Sequence, residues 1–225
     1  RRSRPMPNQP RSILNAVLIA AALSLAVNLV RLYGELQKWA PAVFNTEGGG
    51  GGSPLGISWL VIVFGFWFGR RLAQNGHRPA STGKSLLLCL AGVGVMVGAA
   101  YVAFTFIGPP GVDAVLTDDE WRLRSLVFNG GAAAGGLLLL AGWARAWFVL
   151  VFYGLLARVP VIVIQFIAIE NQWDTHFSKG PPGMQASVLP FALTIAQAVL
   201  WPFGFTVLVG GLFATLGAWS VRRAG

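Results

Sequence analysis

Long stretches without a charge constrain this chain more than any other feature. The run from Ala146 to Ile169 holds fifteen Leu, Ile, Val and Phe residues and one charge. Similar runs recur along the 225 residues, of which 55% are apolar and 11% charged, with a mean hydropathy of +0.63. Soluble domains carry roughly 25% charged residues, so the expected fold is an all-α, polytopic transmembrane helical bundle. A backbone in lipid must satisfy its own hydrogen bonds, which leaves helices or closed barrels. The uninterrupted apolar run from Trp59 to Phe68 lacks the alternation that a barrel strand needs.

A hydrocarbon core about 30 Å thick takes roughly 20 helical residues. Six segments meet or approach that length, near 12–32, 55–73, 85–107, 125–143, 146–169 and 188–220, and together they form a single integral membrane domain. Pro190 and Pro202 give the last a place to bend. Only Trp143 to Arg145 separates the fourth from the fifth, which predicts a tight helical hairpin.

Basic residues orient the bundle. With the N-terminus inside, Arg1, Arg2, Arg4, Arg11, Arg70, Arg71, Arg78, Lys84, Arg145, Arg222 and Arg223 fall on the inner side. Arg31, Lys38, Arg122, Arg124 and Lys179 fall outside with all eight acidic residues. Eleven basic residues against five favour the N-in, C-in arrangement, and a multi-pass protein of a bacterial inner (cytoplasmic) membrane is expected. The net charge of +9 is spread over short inter-span segments, so nucleic acid is not an expected partner. The apolar part of the N-terminal stretch is too long for a signal peptide and reads as an uncleaved first helix.

Between the first two spans, Leu32, Leu36, Trp39 and Val43 alternate with Arg31, Glu35 and Lys38, a pattern that predicts a short outer amphipathic helix. Gly48 to Gly52 then reads as a flexible linker, since no GKS or GKT follows the tract. Thr117 with Glu120 three residues on forms a capping-box pattern. The pairs Gly65/Gly69, Gly94/Gly98 and Gly131/Gly135 stand four apart, the spacing that lets helices approach closely in lipid.

Arg158 is the charge that the sequence places deepest. One central arginine costs about 3 kcal/mol on insertion, which the surrounding apolar residues offset. A charge held there marks a polar cavity or the bundle interior. Gln165 and Gln197 are its expected neighbours, with Asn28, Asn15 and Thr194, and Pro160 is expected to break the helix beside it. The three form a candidate ligand-binding set, Arg158, Gln165 and Gln197, for an anion or a lipid headgroup.

Only between the last two spans do a histidine and two carboxylates come close, making Glu170, Asp174 and His176 a weak candidate metal set. An ordered outer loop with Trp173 and Phe177 as interfacial anchors explains the same residues. His77 reads as solvated, and the single Cys89 excludes an intramolecular disulfide. No GxSxG or other catalytic constellation is present, and no cofactor is implied. The expected role is non-enzymatic: an accessory or scaffold subunit that packs beside other membrane subunits and membrane lipids, or a holder of lipid or another hydrophobic ligand. The alternative is a small transporter or channel for an anionic or amphipathic solute that uses Arg158.

Overall fold

The computed structural model describes residues 12–48, 53–108 and 115–221. All regular structure among them is helical. In chain order come α1 (Ile13–Leu36), α2 (Leu60–Gln74), α3 (Thr82–Phe106), α4 (Asp118–Glu170), a 3-10 turn (His176–Ser178), α5 (Leu189–Ile195), a π-helical segment (Ala196–Phe205) and α6 (Thr206–Trp219). Four stretches among the described residues are long and apolar enough to cross a membrane: Ile13–Leu36, Thr82–Phe106, Asp118–Glu170 and Leu189–Trp219. Their outward faces are apolar, as on α3, where Leu87, Leu90, Val97 and Tyr101 are each more than half exposed. A bundle with such a surface belongs in lipid.

Local sequence sets the helix ends. The Ser12 hydroxyl caps α1 and that of Ser81 caps α3. Thr117 and Glu120 form the expected capping box at the start of α4, satisfying two backbone donors reciprocally.

The 53 residues of α4 do not form one rod. Trp143 leaves helical geometry (φ −159°, ψ 79°), and the chain folds back there into two arms, 118–142 and 144–170. The Trp147 indole donates to the Gly136 carbonyl at 3.1 Å, whereas eleven residues of straight helix would separate the two by about 16 Å. The Gly142 carbonyl, which the break deprives of its helical partner, accepts from Ser85 of α3 at 3.1 Å. The hairpin thus lies where the sequence places it. Pro160, by contrast, stands inside unbroken helix, so the expected break beside Arg158 is absent.

A second correction concerns the chain after α1. No separate amphipathic helix forms: α1 runs on to Leu36 and stops because Lys38 adopts the left-handed conformation (φ +52°), with Trp39 N–H donating back to the Gly34 carbonyl. Arg31 and Glu35, which the pattern assigned to a wet face, are 3% and 1% exposed. Trp39 stacks edge-on between Tyr33 and Phe44. Of the linker, Gly49–Gly52 lie outside the described residues.

The π-helical segment wedges between the two arms of α4 because glycines make room for it. Gly136 lies against the Phe203 carbonyl, Pro202 lies where a side chain on Gly154 would point, and Gly204 faces Ala132. Gly65 and Gly69 do the same for α2 against Gly210 and Ala214 of α6, and Gly92 and Gly135 bring α3 to α4. Near the Trp143 end the core is apolar: Phe64 and Phe68 stack on each other and each meets Tyr153 edge to face, and the Tyr153 hydroxyl is hydrogen-bonded to Ser24 at 2.9 Å. Gly94 and Gly98 face open space, so this pair takes no part in packing among the described residues.

That contrast yields a prediction. Gly65→Leu, which would drive a side chain into the backbone of α6, should cost at least about 1–3 kcal/mol and lower the detergent melting temperature. Gly94→Leu and Gly98→Leu should leave it nearly unchanged. A Gly65→Leu protein melting with the parent would refute the α2–α6 contact.

Candidate functional site: a basic cavity at the end away from the hairpin

Four helical stripes converge on one cavity of about 720 Å³. Arg158, Val161 and Gln165 recur at three and four residues and therefore share a face of the second arm of α4. Trp121, Arg124, Phe128 and Asn129 supply the facing stripe from the first arm. Asn28 and Arg31 enter from α1, and Gln197 and Trp201 from the π-helical segment. The loop from His176 to Met184 closes the end away from Trp143. Arg31, Arg124, Arg158, His176 and Lys179 all line the space, and no described carboxylate does.

The sequence-derived set Arg158, Gln165 and Gln197 comes together here. Arg158 is 6% exposed, donates from Nη1 to Gln197 Oε1 at 3.2 Å and lies over the Trp201 ring at 4.1 Å. Trp201 offers a cation–π face that helps hold a guanidinium away from water. Nη2 is buried and has no hydrogen-bond partner, and Gln165 Oε1 is equally orphaned. Of the other expected neighbours, Asn28 joins the cavity, while Asn15 is exposed and no part of its wall.

Gln197 reaches Arg158 from a π-helical segment that contains Pro202. Such wide turns often occur at functional sites, where they redirect side chains that a regular α-helix would aim elsewhere.

Buried polar atoms without partners concentrate in this place. Asn28 Nδ2, Trp121 Nε1, Arg124 Nε and Asn129 Oδ1 join Arg158 Nη2 and Gln165 Oε1, and all six belong to cavity-lining residues. Buried polar groups are almost always satisfied, so a cluster of exceptions around one space indicates that the space takes up a polar occupant. A cavity of this size admits an organic molecule as well as water.

Glu170, Asp174 and His176 do not gather into a ligand set. Glu170 is exposed, Asp174 pairs with Lys179 at 2.5 Å, and His176 turns to Glu35 of α1. Among the described residues no group of three or more His, Cys, Asp or Glu residues is placed to hold a metal ion. The Lys179 ammonium holds the Asp174 carboxyl below its usual range.

The Glu35 carboxylate accepts from Arg31 Nε at 2.7 Å, from the His176 backbone N–H at 2.9 Å and from His176 Nδ1 at 2.6 Å. Nδ1 therefore carries the proton, and Nε2 is the ring nitrogen that accepts. This cluster ties the loop that roofs the cavity to α1, 141 residues away in sequence. It escaped the sequence reading because its members are so far apart. The i, i+3, i+7 spacing of Asn28, Arg31 and Glu35 was the available signal: three polar residues on one stripe of an otherwise apolar helix. Trp121, Arg124 and Asn129 carry the same kind of signal in the first arm of α4.

No protein-family model, curated protein or solved structure matches the chain. The cavity therefore has to be interpreted from its own chemistry.

Burial pushes the His176 imidazole below its ordinary range; the Glu35 carboxylate opposes that shift and Arg31 adds to it. A lowered pKa means that the docked loop prefers neutral imidazole. The stabilisation is complete above about pH 6.5, the ordinary value, and declines as pH falls through it toward the lowered one. Thermal stability in detergent should accordingly drop between pH 7 and pH 5. His176→Gln, which cannot titrate, should flatten that dependence. An unchanged slope in the variant would count against the docked imidazole as its source.

Proposed function

We propose that this chain is a multi-pass membrane protein that binds an anionic amphiphile, without catalysing a reaction, in a cavity open toward the outer leaflet. The observation that carries the reading is the partnerless Nη2 of Arg158 on a cavity wall where Arg31 and Lys179 meet carboxylates and Arg158 meets none among the described residues. A guanidinium taken out of water needs a compensating charge or dipoles. Gln197 and Trp201 supply part of that, and a bound anion supplies the rest.

Six crossings fit this function. Counting each arm of α4 once, with the short α2 as a further crossing, returns both termini to one side. The basic ends and inter-span segments then face the cytoplasm of a bacterial inner membrane, and the His176 loop faces out. Phe104, which lines the cavity and is 56% exposed, lies at the outer end of α3, where a lipid could pass laterally from the bilayer into the cavity. The apolar lining residues Phe128, Leu193 and Leu200 suit a ligand with a hydrocarbon portion.

Binding is favoured over an open channel because the Trp143 end is sealed by Phe64, Phe68 and Tyr153, none of which lines the cavity. A transporter would have to part that packed layer in every cycle. A holder of lipid can serve beside other membrane subunits without doing so.

Native mass spectrometry of the protein released from gentle detergent tests the proposal. The full chain should retain an anionic amphiphile in about one-to-one ratio. Arg158→Gln should lose at least about tenfold in occupancy, the scale expected when a buried charge–charge hydrogen bond is removed, and should still fold, because an amide removes the buried charge. Retention of no anionic species by the parent protein, or equal retention by Arg158→Gln, would end the proposal.

A further inference from the structure

The cavity is built in two tiers. The arms of α4 run antiparallel from Trp143, so residues equidistant from it in sequence lie at about the same height. Asn129, fourteen positions before the break, is level with Arg158, fifteen after it. Trp121 and Gln165, each twenty-two positions away, mark an upper tier, and Arg124 lies just below them. At 1.5 Å per residue the seven positions from Arg158 to Gln165 separate the tiers by about 10 Å. Trp121, Asn129, Arg158 and Gln165 are each more than nine-tenths buried, and each presents a polar atom without a partner.

The two tiers differ in chemistry. The lower holds the one guanidinium on this wall that is both nearly fully buried and left with a partnerless Nη2, which calls for an anion. In the upper tier the Arg124 guanidinium already donates from Nη2 to the Ile107 carbonyl at 2.7 Å and lies against Phe104 and Trp121. What remains there is a donor on Arg124 Nε, a donor on Trp121 Nε1 and the side-chain amide of Gln165. The amide oxygens of Gln165 and Asn129 both need a donor from the occupant, and a bare phosphate diester or carboxylate has none to give. Hydroxyl groups supply donor and acceptor together.

Resting on the binding role proposed above, we infer that the occupant carries a phosphorylated polyol, its phosphate on Arg158, a hydroxyl next to the phosphate on Asn129 at the same height, and the rest of its hydroxylated body on Arg124, Trp121 and Gln165. A phosphate bearing a six-carbon polyol ring spans the two tiers. A glycerophospholipid with a polyol head and a free polyol phosphate both present this group, and the lipid agrees with the apolar wall at Phe104 and Leu200.

Tryptophan fluorescence of the full chain, titrated in detergent with phosphatidylinositol, with phosphatidic acid of the same acyl chains and with soluble myo-inositol 1-phosphate, tests the assignment. Phosphatidic acid carries at least as much negative charge as phosphatidylinositol, so charge alone would favour it or leave the two equal. Phosphatidylinositol should instead bind at least about tenfold more tightly, because a site built to hydrogen-bond hydroxyls rejects a ligand that lacks them. Gln165→Leu and Asn129→Leu should each reduce that preference severalfold and leave phosphatidic acid binding within about twofold of the parent. Equal affinity for the two lipids, or a preference that survives both substitutions, overturns the polyol while leaving an anionic amphiphile in place. Myo-inositol 1-phosphate binding as tightly as the lipid supports the polyol phosphate and assigns the site to a free solute, which removes the amphiphile. Binding of none of the three overturns both.

Discussion

A guanidinium in the interior of a lipid-embedded bundle is the constraint from which the rest of the site follows. In water Arg158 would need nothing; held 6% exposed it must find dipoles or an anion, because the cost of desolvating a charge is several kcal/mol even after relaxation. The chain supplies Gln197 Oε1 and the Trp201 face, both from one segment, and supplies no carboxylate on the cavity wall among the described residues. The contrast with Arg31 is instructive. Its guanidinium is buried just as deeply, yet it meets the Glu35 carboxylate, which in turn takes two donors from His176. One buried arginine is neutralised by the fold and the other is left with an unused N–H. A fully satisfied cluster holds structure together, whereas a half-satisfied one leaves a desolvation cost uncompensated within the chain.

Placing Gln197 and Trp201 opposite Arg158 depends on backbone proximity that only small residues permit. The π-helical segment comes so close to both arms of α4 that Gly136 and Gly154 stand where any side chain would strike the backbone at Phe203 and Pro202. Lipid gives no hydrophobic reward for burying apolar surface between helices, so the contact is held by dispersion at short range and by the few polar bonds that cross it. Pro202 suits such a segment, since a wide turn has already given up the regular i to i+4 ladder that a proline would interrupt. Position and chemistry are thus coupled: the same glycines that let the segment in also bring its glutamine within reach of the guanidinium.

Local signals in the sequence were reliable where one residue type acts over a few positions. The capping box at Thr117 and Glu120, the reversal at Trp143 and the association of Arg158 with Gln165 and Gln197 all follow from spacing, apolar run length or the cost of a deep charge. Pro160 was misjudged because a proline inside a helix removes one hydrogen bond without necessarily breaking the helical path, which here continues through it. The stretch after α1 was misread because an amphipathic pattern shows which residues differ from their neighbours and is silent on which face is wet. In a membrane protein the polar stripe can point inward, as Arg31 and Glu35 do. Glycine pairs at i and i+4 share this ambiguity: Gly65/Gly69 are filled by α6 and Gly94/Gly98 by nothing among the described residues.

The roof of the cavity joins these two kinds of information. His176 was noticed for its nearness in sequence to Glu170 and Asp174, but a loop residue is free to pair with whatever the bundle presents, and α1 presents Glu35 at the height where the loop crosses. The choice is energetically reasonable. Asp174 stands in solvent with Lys179 for company, where a salt bridge contributes little, while Glu35 is wholly buried and would be costly without its donors. The buried carboxylate therefore recruits the imidazole, the imidazole fixes the loop, and the loop closes the cavity over Arg158. An acidic residue serving the roof in this way is also one that cannot serve the floor, so the Nη2 of the deep guanidinium is left without a hydrogen-bond partner.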